Sequence, residues 1–491
     1  MVGTSGLSWR EDTMAFPLAL LATAAIDPNP IFDAAAYTST VATTANGIRQ
    51  RVAAPGAAPL DVLHVFGSAY ERGVAHGTLF AKEIQYLNDV AMPAFYVEEV
   101  DSLKDQLGKL PAFLRKLIED LLLPPLEKAA PAAFGLALTW LEKEQRKWNN
   151  VSAADPVYDE VAGIAHGACA ATGCADEAAL RARVMQINLL PELIQMQCSM
   201  MGAWGAATPT GHLTQLRTLD FGEGALAAQF CRNSARIFDA PPAVTTGPFA
   251  NASVLVVHHP KAAGENGGAG GLARPWASLG FTGYAGVVTG WTPDLSLSQK
   301  VDDLYGHPGR PAGAYAGRAV SFVIRDVLEG SSSLEDAEKI INDATRTWGV
   351  WLGLGAADSQ RFRAVNYTRA SAPSFDDTTL PSLTGQTPID SVAYIDKHPQ
   401  PSRDPDHTLP KVLQAHRGNL SAAWVASNVP RLTTSGDVHI AVYDLAPDTA
   451  AAYLAIGTTA ANGSFVRYAY EAPFLRFASK AIFAVPPPAR A

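Results

Sequence analysis

Cysteine is scarce in this chain: four residues of 491, at Cys169, Cys174, Cys198 and Cys231. That is too few to hold a fold of this size as a disulfide scaffold. Cys169 and Cys174 lie close enough to pair in an oxidising compartment, or to serve as two small core residues. Charge is scarce as well, at 17% of residues, with 38 basic against 47 acidic and a formal net charge of −9. No cluster of Lys and Arg is interleaved with aromatics, which argues against a nucleic-acid partner. There is no HExxH helix and no pair of CxxC motifs, and the adjacent His258 and His259 would point to opposite faces of a strand, so no metal site is expected. A GxSxG elbow and a dinucleotide fingerprint are also missing. Gly264–Gly271 is glycine-rich, but without phosphate-loop spacing or a following Lys it reads as a flexible excursion, and no cofactor is expected.

Long apolar runs are missing too. The longest, Met14–Ala25, is short of the roughly 20 residues that span a bilayer but has the length of a signal-peptide core. Residues 1–26 therefore read as a signal peptide or an exposed leader, with Met14 as an alternative start. Asn150, Asn251, Asn366, Asn419 and Asn462 form five Asn-x-Ser/Thr sequons, against roughly two expected by chance. Together these point to the secretory pathway, to a lysosomal or extracellular site, with the cytoplasm as the alternative. Hydrophobic residues, 48% of the chain, supply ample core.

Periodicity divides the chain in two. Residues 48–66 read as extended and 67–90 as a turn into a helix. Residues 101–149 carry helical spacing broken by prolines, and 156–172 form another helix, so 27–197 read as mostly helical. From Cys198 onward the runs 212–219, 252–258, 283–289, 295–301, 438–444 and 452–456 read as strands. Helices are expected at 312–328 and 334–346, and residues 371–411 as a long excursion or lid. No repeat of solenoid period occurs. The fold class is α+β, two packed sheets flanked by helices.

Within that frame one stretch carries chemistry. Gln197-Cys198-Ser199-Met200-Met201 is followed by Gly211-His212-Leu213 and by Arg217-Thr218-Leu219-Asp220-Phe221-Gly222. A lone cysteine is more often a buried core residue, but here a small nucleophile precedes two strand-like runs, and an Arg-x-x-Asp pair closes the second. The layout resembles N-terminal nucleophile (Ntn) cysteine hydrolases of the acid ceramidase, N-acylethanolamine acid amidase and penicillin acyltransferase-like group. Gly283-Tyr284-Ala285-Gly286-Val287-Val288-Thr289-Gly290-Trp291, with Leu295-Ser296-Leu297-Ser298, is similar to a second segment of that group. Gly67-x-x-Tyr70-x-x-Gly73…His76-Gly77 and Glu160-x-x-Gly163-Ile164-Ala165-x-Gly167 look like its propeptide segments.

The resemblance implies a four-layer αββα Ntn-hydrolase sandwich at 198–491, preceded by a helical propeptide or α-subunit at 27–197. It implies self-cleavage between Gln197 and Cys198, after which the two fragments stay partners. The chemistry is coherent. A thiol with a reference pKa of about 8.5 is only slightly ionised at neutral pH and needs a base, and the α-amine freed at Cys198 has a reference pKa of about 7.7–8.0. Asp220 would orient that amine. Arg217 would hold Asp220 or bind a substrate oxygen in a bidentate way, the bland alternative being a surface salt bridge. Thr289, Gly290 and Trp291 would border the acyl pocket, with backbone N–H groups near Gly290 and Trp291 facing an oxyanion. The group's Thr-Asn-Tyr-Asp segment is absent; Asn366, in Ala364-Val365-Asn366-Tyr367-Thr368, is the nearest substitute and Asn428 the fallback.

The implied substrate is a small-molecule linear acyl amide or a lipid, and contact with a membrane surface is allowed. Three alternatives stand beside this reading. One is a phospholipase B-like lysosomal ester hydrolase with the same N-terminal cysteine. Another is a papain-like pairing of Cys198 with His258, His259 or His439. The last is a noncatalytic secreted binding protein.

Overall fold

The computed structural model describes residues 27–98, 111–121, 126–148, 155–193, 197–220, 252–260, 274–301, 315–347, 349–397, 408–459 and 465–489. Residues 1–26, Cys231, the Gly264–Gly271 loop and the sequons Asn150, Asn251 and Asn462 lie outside them. Mixed α and β content with two large sheets makes the fold α+β.

The first sheet has seven strands. Its order is β1 (Ile31–Asp33), β19 (Phe474–Ala478), β16 (Ala451–Ile456), β15 (His439–Asp444), β6 (Gly211–Asp220), β5 (Gln197–Gly205) and β14 (Val392–Ile395). The second has ten: β13 (Ser374–Phe375), β12 (Arg361–Tyr367), β11 (Val350–Ala356), β10 (Leu295–Val301), β9 (Thr289–Trp291), β8 (Trp276–Phe281), β7 (Ser253–His259), β4 (Leu60–Phe66), β3 (Gly47–Val52) and β2 (Thr38–Thr44). The short strands Thr458–Thr459 and Phe465–Arg467 pair separately.

The two sheets pack face to face. Gln215 Nε2 on β6 donates to Ser298 Oγ on β10 at 3.0 Å and to the Gly353 carbonyl on β11 at 3.2 Å. Ser298 Oγ in turn donates to Met200 Sδ on β5. Helix Ala422–Thr433 lies on the outer side of the seven-stranded sheet, and helices Ala69–Leu79, Val320–Gly330 and Leu334–Asp343 lie against the ten-stranded one. Strands buried on both faces, such as Ser-Val-Leu-Val-Val-His-His of β7, are correspondingly near-continuous apolar runs. Among the described residues no helix is long and apolar enough to cross a membrane.

Several elements differ from the sequence expectation. Among the described residues, 27–197 are mostly helical and the stretch read as extended at 48–66 forms β3 and β4, whereas β1 and β2 were not expected; β1 pairs in parallel with β19, and β4 in parallel with β7, so the segment before Cys198 is built into both sheets. The expected strand 283–289 is a turn, with only Thr289–Trp291 extended. Gly283 has φ +79°, and the Asn188 side chain accepts from Ala285 N and Gly286 N while donating to the Gly283 carbonyl, which uses up the groups a ladder would need. Helix 312–328 begins only at Val320. Within the 371–411 segment, read as an excursion or lid, the described residues include β14, which pairs with β5, the strand that carries Cys198. Cys169 and Cys174 are joined as a disulfide.

Helices Ala69–Leu79 and Pro156–Thr172 cross at backbone contact, which explains two of the glycine motifs. A methyl group on Gly77 would sit 2.0 Å from the Ile164 carbonyl oxygen, and one on Gly167 2.2 Å from that of Val74. Gly73 and Gly163 are equally crowded, against Glu160 and Tyr70. Gly77→Ala is therefore expected to destabilise by about 3 kcal/mol, since backbone cannot yield as a side chain does. Gly135→Ala is the control. Its methyl would meet only Gln186 Nε2 at 4.0 Å, so it should be neutral or slightly stabilising. Urea melts of both variants check this; equal midpoints would show that the crossing yields to an added methyl group.

Candidate active site

The alternation of β5 decides what Cys198 faces. Met200 meets Ser298 of the opposite sheet, and Cys198, two residues earlier on the same face, points into the same interior. It is buried, with 1% of its surface exposed. Arg217, on the neighbouring strand β6, faces the same way and is as deeply buried. Its guanidinium makes three contacts. Nη2 donates to Cys198 Sγ at 3.6 Å, Nη1 to His439 Nε2 at 2.6 Å, and Nε to the Gln299 carbonyl at 3.4 Å. Among the described residues Arg217 forms no ion pair with a carboxylate.

Asp220 does not hold Arg217, contrary to the expectation from their spacing. Three residues apart on a strand, the two side chains leave from opposite faces. Asp220 sits on the outer side of the sheet, toward helix Ala422–Thr433, and is buried rather than a surface partner. Its Oδ2 accepts from Ser435 Oγ at 2.7 Å and Thr218 Oγ1 at 3.2 Å. Its Oδ1 accepts from Gly436 N at 2.8 Å, and Lys397 Nζ lies 3.5 Å away. Gly436 has φ +101°, and a Cβ there would strike Ile440, so this turn requires glycine. Asp220 is also the ladder partner of Gln197, which sets it beside the Gln197–Cys198 bond. Ser199 continues the network, with its Oγ 3.2 Å from Ser435 Oγ and 3.0 Å from Lys397 N.

The turn 283–288 is anchored from residues before Cys198. His76 Nε2 accepts from Gly283 N at 3.0 Å, and burial pushes the His76 pKa down to about 3, keeping the ring a neutral acceptor. Val288 O then accepts from Gln299 N, so the strand whose carbonyl meets Arg217 is braced by this turn.

The remaining candidates are spread more widely. Thr289 Oγ1 donates to the Leu297 carbonyl and lies 2.7 Å from Tyr443 Oη, between the sheets. Trp291 is interior packing: its Nε1 donates to Ser479 Oγ and its ring tilts against Tyr443 and Phe483. β9 pairs on both sides, so the peptide groups of Gly290 and Trp291 belong to the ladder. Asn366 is half-buried on β12, aligned with Trp351 and through it with Lys300, the residue after Gln299. β12 lies two strands from β10, roughly 10 Å. Asn428 is not brought to the site, because it sits on the outer helix with Nδ2 donating to the Trp424 carbonyl.

Of the histidines, His258 stacks on Trp276 at 3.7 Å while His259 pairs with His64 at 3.0 Å, so they do face opposite sides of β7 and neither bonds Cys198. His439 is in the cluster but bonded to Arg217 rather than to the thiol. Among the described residues there is no group of three or more side chains suited to hold a metal. Sequence reasoning missed Ser435, Gly436, Thr218, Ser199, Lys397 and the Gln299 carbonyl, all brought in by tertiary contact. Only the Ser435-Gly436 turn had a local signal.

The chain matches no family model. Two Dictyostelium discoideum proteins are similar. Protein dcd1A is 28% identical over 404 residues, 81% of this chain and 79% of the relative; protein dcd1B is 27% identical over 465 residues, 91% and 79%. A solved structure, the Caenorhabditis elegans N-acylethanolamine-hydrolyzing acid amidase (NAAA) ortholog, aligns over 51% of this chain and 94% of that chain, at 18% identity and a TM-score of 0.32.

Proposed function

We propose that this chain is a self-processing Ntn cysteine amidohydrolase or acyltransferase, an αββα sandwich that cleaves a linear acyl amide through a Cys198 thioester. The observation that carries this is the setting of Arg217. A buried cation needs a counter-charge, Arg217 forms no carboxylate ion pair among the described residues, and its Nη2 lies on Cys198 Sγ. The charge that fits there is a thiolate, the reactive form of cysteine.

In processing, Cys198 Sγ attacks the Gln197 carbonyl carbon. The C–S bond forms, the Gln197–Cys198 C–N bond breaks, and the nitrogen takes a proton to become the α-amine. Water hydrolyses the thioester, leaving a Gln197 carboxylate and the free thiol. In turnover the α-amine takes the thiol proton, Sγ attacks the substrate carbonyl, and the leaving amine carries that proton away. Water or a second amine then resolves the thioester. Asp220, beside Gln197 in the ladder, is assigned as the carboxylate that orients the new amine. Asn366 is assigned as oxyanion donor, and Thr289, Gly290 and Trp291 as the far wall of an acyl pocket.

A fatty-acyl amide is the substrate class this reading favours. Phe113 and Leu117, exposed one turn apart on helix Ala112–Leu121, are side chains that contact with a lipid surface would use. The Cys169–Cys174 disulfide suits an oxidising, secretory compartment. A panel of p-nitroanilides, N-acylethanolamines, ceramides and matched esters tests the reaction, with acyl mass trapped on Cys198 as the supporting result. Turnover of phospholipid esters without any amide would overturn it in favour of a phospholipase-like enzyme.

Arg217→Lys and Asp220→Asn should each lower kcat/KM about 100-fold or more with little loss of fold. A point ammonium cannot reach the thiol, His439 and a carbonyl at once, and a neutral amide cannot orient the α-ammonium. Steady-state kinetics beside circular dichroism melts decide this; near wild-type turnover in both would make the pair structural.

A further inference from the structure

We propose, resting on that reading, that His439 is a positioning residue: its Nε2 lone pair holds one arm of the Arg217 guanidinium so that the other arm stays on Cys198 Sγ. An arginine can only donate, so at the 2.6 Å contact Nε2 is the acceptor and the ring is neutral with its proton on Nδ1. With Nε on the Gln299 carbonyl, the guanidinium is then fixed on all three of its nitrogens, and rotation away from the sulfur would break two bonds to acceptors.

The ring is not there for packing alone. His439 is wholly buried on β15, and among the described residues Nδ1 has no hydrogen-bond partner. An unmet buried donor is unfavourable, so an apolar side chain would fill the space better. What a histidine adds is the Nε2 acceptor. Phe281, its ring stacked at 5.7 Å, and the β15 ladder to β6 hold the imidazole in place. Burial, and then the charge of Arg217, keep its pKa well below the usual value, so the acceptor persists under mildly acidic conditions.

The test compares His439→Phe, which keeps a ring but removes the acceptor, with His439→Gln, whose Oε1 can still accept. The readouts are the self-cleavage rate, kcat and KM, and the pH profile of Cys198 labelling by iodoacetamide, followed on the Cys198 peptide by mass spectrometry. The Phe variant should lose about 10- to 100-fold in self-cleavage and kcat, with KM moving less. Its labelling midpoint should rise by about one pH unit, and Gln should recover part of both. Wild-type behaviour of the Phe variant, or equal impairment of both with unshifted labelling, would overturn the proposal. Should the Phe variant not fold, selective nitrogen-15 labelling of histidine in the wild-type chain decides. An Nε2-protonated or doubly protonated His439 at neutral pH contradicts the clamp. The labelling comparison needs no turnover, so it judges His439 even if the wild-type chain neither cuts itself nor hydrolyses an amide, which would instead defeat the function proposed.

Discussion

Cys198→Ala is expected to give a single uncut chain with no measurable turnover, while the wild type yields a fragment beginning Cys198-Ser199-Met200-Met201. Both reactions proposed for this site start from the same sulfur, so one atom removes both. Rate losses of 10⁴-fold or more are usual when a covalent nucleophile is deleted. The fold should survive, because the change removes one buried atom from a well-packed strand, at about 1 kcal/mol. Cys198→Ser sharpens the test. A hydroxyl keeps the geometry but ionises far less readily, so cutting should be slowed rather than abolished. Intact mass, N-terminal sequencing and a thermal melt of the three proteins settle the matter. Cleavage at the same bond in the Ala variant would remove Cys198 from the mechanism.

How much of this was legible in the sequence depended on how local the cause was. The alternation of β6 and the β-branched runs of β7 and β15 are local, and these strands lie close to where the pattern put them. β11 was not among the expected strands, and its Val-Trp-Leu-Gly-Leu-Gly-Ala sequence carries two glycines, Gly353 and Gly355. They are glycine for a tertiary reason: a Cβ at Gly353 would meet Ser298 Oγ at 2.5 Å, and one at Gly355 would meet Gln215 Oε1 at the same distance. The turn at 283–288 looked like a strand because Asn188, which ties it down, lies nearly a hundred residues earlier.

The site divides in the same way. Cys198 and Arg217 could be picked out because both come from one hairpin of β5 and β6. The expected Arg217–Asp220 pair was a misreading of spacing: i and i+3 meet on a helix, whereas on a strand they part to opposite faces. His439 stands 222 residues from Arg217, and nothing near it in sequence marks it as the guanidinium's partner.

The largest stability change is expected from Arg325→Leu, about 3–5 kcal/mol, the range seen when one member of a buried ionic cluster is removed. Arg325 is wholly buried on helix Val320–Gly330. Its Nη2 donates to Glu160 Oε2 at 2.8 Å, its Nε to Glu329 Oε1 at 2.9 Å and its Nη1 to the Ala285 carbonyl at 2.8 Å. The cluster thereby ties a helix that precedes Cys198 to one that follows it and to the turn beside Gln299. Without the guanidinium, Glu160 and Glu329 would lie buried with Arg72, 3.8 Å from Glu160, as the remaining neighbouring cation among the described residues.

The loss should depend on pH in a definite direction. Burial pushes the Glu329 pKa from 4.5 up to about 7, against the opposing charges of Arg325 and Arg72. Between those two values the native chain holds a proton that the unfolded chain has released, so this group's contribution to stability falls as pH rises. Removing Arg325 takes away a charge that favours the carboxylate, moves the native pKa higher still and extends that fall. Urea melts of wild type and Arg325→Leu should therefore differ more at pH 8 than at pH 5, where protonation neutralises the uncovered Glu329 carboxylate. A loss of equal size at both values would mean that missing side-chain packing, rather than exposed buried charge, sets the effect.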